Sequence, residues 1–324
     1  MYPALTVIQK LNKAGHDILW VGTAEGIEAK LVQREGIAYE SIQAAGVHGV
    51  SLKKLPGNLL KLWKGYKQSK AILKRFNPDV LFFTGGFVAV PMALAGRKLP
   101  SLLYVPDIEP GLALKTLGRF ASKIAITVED TKMFYKTSDK LIFTGYPLRD
   151  ELMQWRKVEA LNYFGFNHNV PTLLFMGGST GARSINQAVL NIVEKLTEKY
   201  QVIHLTGHLD WETVSKATLH LNSRYQAFPY LHEVGAAMAA ADLVISRSGA
   251  SALGEYPYFG LPAILVPYPY AWRYQKVNAD YLVERGAAVL LEDQRLIPDL
   301  WQTINDLMQD PNTLQSMSLA MKSL

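Results

Sequence analysis

The stretch Phe175-Met176-Gly177-Gly178-Ser179-Thr180-Gly181-Ala182-Arg183-Ser184-Ile185-Asn186 reads as a strand running into a glycine-rich turn and then into a helix. Glycines without Cβ let the backbone approach an anion, and the free N–H groups of a helix start point at it. The same letters also fit a tight strand-to-helix turn with no ligand, which is common in doubly wound α/β folds. The spacing is neither G-x-x-x-x-G-K-[ST] nor G-x-G-x-x-G, which disfavours a P-loop and a standard dinucleotide fingerprint.

Outward from this turn, short apolar or β-branched runs alternate with helical periodicity along the whole chain, the pattern of βα units and parallel sheets. In the first half the runs are 17–22, 37–41, 79–83, 101–105, 124–128 and 140–144, and in the second 172–176, 201–205, 225–228, 243–246, 263–266 and 288–291. The turn at Gly145-Tyr146-Pro147-Leu148-Arg149 and an amphipathic helix over 150–164 separate the two series. The expected architecture is α/β, with two Rossmann-like domains, 1–148 and 149–324, facing across a cleft. The N-terminal residues 3–13 read as an amphipathic helix and not as a signal peptide.

Composition bounds the chemistry. The 324 residues are 49% hydrophobic and 19% charged with no cysteine, so disulfide scaffolds, thiolate metal sites and a Cys nucleophile are excluded. Lys and Arg number 34 against 28 Asp and Glu, a net charge of +6 that suits an anionic partner such as phosphate, nucleic acid or a membrane surface. No run of 18 apolar residues is present to span a bilayer.

Two more strand exits carry candidate chemistry. Ser246-Arg247-Ser248-Gly249-Ala250 is a second turn with helix-start N–H donors, and Glu255 beyond it can accept both hydroxyls of a ribose diol or simply face water on a helix. Val266-Pro267-Tyr268-Pro269-Tyr270-Ala271-Trp272-Arg273-Tyr274-Gln275 is a proline-rich aromatic loop of the kind that holds sugar hydroxyls and ring faces, or a purely structural one. All three exits lie at the carboxyl ends of strands, where open α/β sheets bind ligands.

The chain resembles the MurG family, inverting glycosyltransferases of GT-B fold that transfer N-acetylglucosamine from UDP-N-acetylglucosamine to lipid I. The resemblance rests on Gly177–Arg183 with Asn186, Ser246–Ala250 with Glu255, Gly260-Leu261-Pro262-Ala263, and Gln275 with Asn278-Ala279. It extends to Tyr2-Pro3-Ala4-Leu5, Gly22-Thr23-Ala24-Glu25, Pro78-Asp79-Val80, Gly85-Gly86-Phe87-Val88 and Gly145–Arg149, nearly the whole chain in order. It implies that Ser179, Thr180 and Gly181, with Arg247, Ser248, Gly249 and Ala250, hold the UDP diphosphate, and that Glu255 takes the ribose. It further implies that Arg149 lies beside the nucleotide, that Tyr274 and Gln275 read the sugar, and that Asn186 faces the acceptor. No metal or other cofactor is expected, because helix N-termini supply the positive field on the leaving diphosphate.

Departures from the family pattern sharpen the expectations. The family opens with a strand and a loop of the form GGTGGH ahead of the stretch matching Tyr2–Leu5, and that loop carries the usual base; it ends with a further helix beyond the stretch matching Met321–Leu324. The chain therefore reads as a fragment whose first domain lacks its first strand and glycine-rich loop. The family's HEQN stretch aligns with Tyr104-Val105-Pro106-Asp107, a common Tyr is Phe87, and the first of a glutamine pair is Tyr274. Asp107 and Glu109 are the substitute acid/base candidates, or ordinary loop carboxylates.

Lys53 to Arg75 holds eight basic residues and no acid, with Leu59, Leu62, Trp63, Tyr66 and Leu73 at helical spacing. Leu59, Leu62 and Trp63 with Lys61 and Lys64 are the expected contacts to an anionic membrane surface; the alternative is a stripe packed on its own sheet. Nucleic acid is not expected, since no binding motif accompanies the charge. The expected activity is formation of lipid II for peptidoglycan, cell shape and division at the cytoplasmic face of the membrane, as a peripheral protein. Rival readings are transfer to another lipid acceptor such as diacylglycerol, UDP-sugar binding without catalysis, and nucleotide-sugar epimerisation.

Overall fold

The computed structural model describes residues 2–24, 27–46, 51, 53–136, 139–178, 180–221 and 223–324. It divides into two compact units, Met1–Pro147 and Leu148–Leu324. Among the described residues twelve strands follow in order: β1 Leu19–Gly22, β2 Ala38–Ser41, β3 Leu81–Phe83, β4 Ser101–Val105, β5 Lys123–Ile126, β6 Leu141–Phe143, β7 Thr172–Met176, β8 Gln201–Leu205, β9 Tyr225–Phe228, β10 Leu243–Ser246, β11 Ala263–Leu265 and β12 Ala288–Leu290. Each falls within or one residue outside an apolar run read from the sequence.

Unit 1 carries its strands in two parallel sheets, β1–β2 and β3–β4–β5–β6, with no ladder between them among the described residues. Leu19 and Val21 of β1 nonetheless pack on the same core as Leu81 and Phe83 of β3. The amphipathic helix Tyr2–Lys13 buries Leu5 and Ile8 against Val32 and Ile37.

The helix Leu55–Phe76 departs from its expected division into faces. Gly65, Ser69 and Ile72 are its buried positions, and Gly65 is required by close approach, since a Cβ there would lie 2.0 Å from the Gln43 carbonyl oxygen. Leu62 and Tyr66 are half-buried beside them, whereas Leu59, Leu60 and Trp63 are exposed. The apolar stripe is therefore split, one part closing on the core and one part left in water.

Unit 2 is one six-stranded parallel sheet in the order β12-β11-β10-β7-β8-β9. The chain leaves β7 toward β8 and returns to β10 on its other side, so the switch point lies between β7 and β10, where Met176 pairs with Ser246. Ligands of open α/β sheets bind at the carboxyl ends of the strands flanking such a point. Leu173, Phe175, Val202, Leu243, Ile245 and Ile264 form the sheet side of the core, and Ile185, Val189 and Leu196 of the helix Arg183–Lys199 pack on it. The single helix expected over 150–164 is two, Asp150–Met153 and Lys157–Phe164. The second starts afresh because the Glu159 carboxylate accepts from the Arg156 N–H at 3.3 Å, an N-terminal cap inside the amphipathic run.

Candidate functional site

Both turns singled out in the sequence leave the two strands that flank the switch point. After β7 the turn closes through Gly181 N–H donating to the Gly178 carbonyl at 3.0 Å, with φ of +83° at Gly178 and +81° at Gly181. Thr180 is exposed and Ala182 buried, and Ser179 lies outside the described residues. A Cβ on Gly181 would come 2.1 Å from the Thr206 carbonyl oxygen, so this glycine is needed for the approach of the turn to the end of β8.

After β10, the Ser248 hydroxyl donates to the Gln275 carbonyl at 2.8 Å, and the Asn278 amide donates to the Ser248 carbonyl at 3.1 Å. The Gln275 side-chain oxygen in turn accepts from the Tyr268 N–H at 2.8 Å. The second turn and the aromatic loop are thus one tied unit, while the neighbouring Tyr274 ring stays exposed. Ser248 and Asn278 are fully buried, so their side chains hold this backbone in shape and leave the Gly249 and Ala250 region to meet a ligand.

Arg247 is placed differently from the expected ligand contact. Its guanidinium donates to the Val266 carbonyl at 3.1 Å, to Ser184 Oγ at 2.8 Å and to the Asp293 carboxylate, and Ser184 Oγ donates to the same carboxylate at 2.7 Å. Arg247 therefore ties the exits of β7, β10, β11 and β12 to one another. Asp293, the residue that completes this tie, has no local sequence signal, because its partners are 46 and 109 positions away.

Glu255 opens the short helix Glu255–Phe259, after a 3-10 turn over Ala250–Leu253, and is 7% exposed. Burial pushes its carboxyl up to about 7, against the downward pull of the Arg149 guanidinium and of a hydrogen bond from Ser251. Two residues from the sequence reading, Arg149 and Glu255, are thereby coupled electrostatically. A half-neutral buried carboxyl has acceptor capacity in reserve for a polar ligand.

Asn186 does not face outward. It is 3% exposed and its amide is spent on the protein: Nδ2 donates to the Thr206 carbonyl and to Asp210, both at 2.9 Å, and Oδ1 lies 2.9 Å from His204 Nε2. His204, fully buried in β8, also lies 2.7 Å from the Tyr225 hydroxyl through Nδ1. The signal for it was a lone imidazole inside the apolar strand Gln201–Leu205, a position that demands partners.

In unit 1, Glu109 is buried and paired with Lys115 at 3.2 Å. A carboxylate that is buried and engaged by a lysine is poorly placed to accept a proton from a substrate hydroxyl, so Glu109 reads as structural. Asp107 is half-buried.

Residues 1–126 match the glycosyltransferase family 28 N-terminal domain and residues 172–324 the family 28 C-terminal domain. The chain is 36% identical to the UDP-N-acetylglucosamine–N-acetylmuramyl-(pentapeptide) pyrophosphoryl-undecaprenol N-acetylglucosamine transferase of Desulforamulus reducens, over 100% of this chain and 91% of that protein. It is 34% identical to the transferase of the same name from Bacillus licheniformis, over 100% of this chain and 91% of that protein. Among solved structures it resembles Acinetobacter baumannii MurG with a TM-score of 0.77 at 22% identity, covering 99% of this chain and 91% of the other, a likeness of fold.

Proposed function

From the premise that the chain belongs to glycosyltransferase family 28, we propose that it transfers N-acetylglucosamine from its UDP conjugate to the muramyl sugar of lipid I, forming lipid II. The full-length likeness to transferases bearing that name carries this reading. The site in unit 2 supports its donor half: two anion-accepting turns flank one switch point, and a buried carboxylate stands beside the second.

The reaction is an in-line displacement. The acceptor 4-hydroxyl attacks the anomeric carbon, the bond from that carbon to the UDP oxygen breaks, and the α linkage of the donor becomes β. N–H groups of the two turns, at Thr180 and at Gly249–Ala250, stabilise charge on the departing diphosphate. Glu255 accepts the ribose hydroxyls, Arg149 lies beside the nucleotide, and Gln275 and Tyr274 read the sugar. The attacking hydroxyl gives up its proton to a general base. Transfer assayed with lipid I and with diacylglycerol tests the acceptor: UDP release is expected with lipid I only, and release with diacylglycerol alone would reassign it.

The acceptor's lipid tail requires the enzyme at a membrane, and we place it there as a peripheral protein on the cytoplasmic face. No described helix is long and apolar enough to cross a bilayer. Leu59, Leu60 and Trp63 are each 52% exposed on the helix Leu55–Phe76, beside the exposed Lys61 and Lys64, and Lys67 Nζ sits 3.7 Å from the centre of the Trp63 ring. An apolar wedge ringed by cations suits an anionic leaflet, each basic residue contributing about 1 kcal/mol. Reversal of charge in K61E/K64E is expected to weaken binding to phosphatidylglycerol vesicles by at least tenfold, measured by cosedimentation. Unchanged binding would remove this helix from the membrane contact.

A further inference from the structure

Behind the glycine-rich turn of unit 2 a series of side chains runs inward from one exposed cation. Arg183, the first residue of the helix Arg183–Lys199, donates through Nε to Asp210 Oδ1 at 3.0 Å. Asp210 Oδ2 accepts from Asn186 Nδ2, Asn186 Oδ1 faces His204 Nε2, and His204 Nδ1 faces the Tyr225 hydroxyl. An amide oxygen only accepts, so His204 carries its hydrogen on Nε2 and accepts a hydrogen bond from the Tyr225 hydroxyl at Nδ1. Burial pulls the imidazole down to about 3, which keeps it in this neutral form.

The series is costly if stability were its purpose. Asp210 stands at the N-cap of the helix Trp211–Ala217 but gives neither oxygen to that helix. It forgoes the stabilisation of a cap and turns both oxygens to Asn186 and Arg183. At the outer end the Arg183 side chain is 70% exposed, and an exposed ion pair returns little. What the series does achieve is a guanidinium held by its Nε edge, with no hydrogen bond to either Nη among those described. The Nη pair is the fork that matches phosphate oxygens in a bidentate contact.

We propose that Arg183 binds a substrate diphosphate at the glycine-rich turn, and that Asp210, Asn186 and His204 are positioning residues that aim it. This rests on the transferase reading for the identity of the substrates. The diphosphate is that of the nucleotide or that of the lipid-linked acceptor, and the two are separable by measurement.

The test uses the full chain with Arg183→Gln, Asp210→Asn and the double variant, read by calorimetric titration with UDP and by steady-state transfer from UDP-N-acetylglucosamine to lipid I. R183Q is expected to raise the UDP Kd or the acceptor KM at least tenfold, with the melting temperature unchanged because the side chain is exposed. D210N is expected to give a smaller rise in the same constant. The double variant should bind the diphosphate no worse than R183Q, because Asp210 reaches that ligand through Arg183. A raised UDP Kd assigns the cation to the nucleotide, and a rise confined to the acceptor KM assigns it to the lipid diphosphate. UDP and acceptor constants both within twofold of wild type in R183Q would overturn the proposal, and additive losses in the double variant would overturn the positioning role. A wild-type chain that fails to transfer, but whose UDP affinity falls in R183Q, would count against the transferase reading and support Arg183.

Discussion

Glu255→Gln is expected to make the unliganded protein more stable at pH 8 and at the same time to cost UDP-N-acetylglucosamine binding at least tenfold. The first effect follows from burial. The folded-state value is raised from 4.5 to about 7, so the native protein binds the proton more tightly than the unfolded chain does. The contribution of the carboxyl to stability is fully present below about 4.5 and is lost as pH rises through 7, by about 3 kcal/mol at most. Glutamine is neutral throughout. Its advantage over wild type should be small at pH 4.5, grow to pH 7 and stay level above it, which urea titrations at pH 5 and pH 8 would measure.

The second effect follows from chemistry. A carboxylate accepts two hydroxyl hydrogens, whereas an amide offers one oxygen beside a donor. Loss of such a charge-assisted contact costs about 1.5–3 kcal/mol. The same contact requires the ionised form, so wild-type affinity should weaken as pH falls below 7 and the variant's should not. A variant less stable than wild type at pH 8, or equal in affinity, would contradict the assignment.

Gly181→Ala is expected to destabilise unit 2 by about 2–4 kcal/mol, with Gly178→Ala costing about 1 kcal/mol. Both residues have positive φ, so both substitutions carry backbone strain. They differ in their surroundings. A Cβ on Gly178 meets nothing within 4 Å, whereas one on Gly181 meets the Thr206 carbonyl oxygen at 2.1 Å and Gly207 Cα at 3.0 Å, and backbone cannot rotate away. Because Thr206 also accepts from Asn186, displacement of that carbonyl should disturb the turn and lower transfer in G181A beyond its fall in stability. Equal losses in the two variants would mean that φ alone governs this turn.

The comparison of these two glycines shows where sequence reading runs out. The turn itself was legible, because a strand of apolar letters, a run of glycines and a helical period follow one another without interruption. Which glycine is indispensable depends on Thr206, a residue in another βα unit. The strands were legible for the same local reason, and Gln201–Leu205 and Thr172–Met176 coincide with their apolar runs. The break at Gln154–Arg156 was not, since one backbone N–H captured by Glu159 interrupts an otherwise continuous amphipathic pattern.

Site chemistry followed the same rule. Glu255 and the Ser248–Ala250 turn could be singled out because they sit beside one strand exit. Arg247 and Asn186 were visible as polar residues in motifs, but their partners Asp293, Asp210 and His204 come from distant segments, and only those partners reveal that the side chains hold the site together. Periodicity likewise marked Leu59, Leu62 and Trp63 as one apolar stripe, and only packing against the core separates the half-buried Leu62 from the exposed pair.

The most direct test of transfer with inversion is the identity of the sugar product. The protein is incubated with UDP-N-acetylglucosamine, with and without lipid I, and the products are followed by NMR. UDP and a β-linked disaccharide formed in equal amounts, and only when lipid I is present, is the expected result. Consumption of the nucleotide sugar without acceptor, with release of the 2-epimer of the sugar, would contradict the transferase account and make the protein an epimerase.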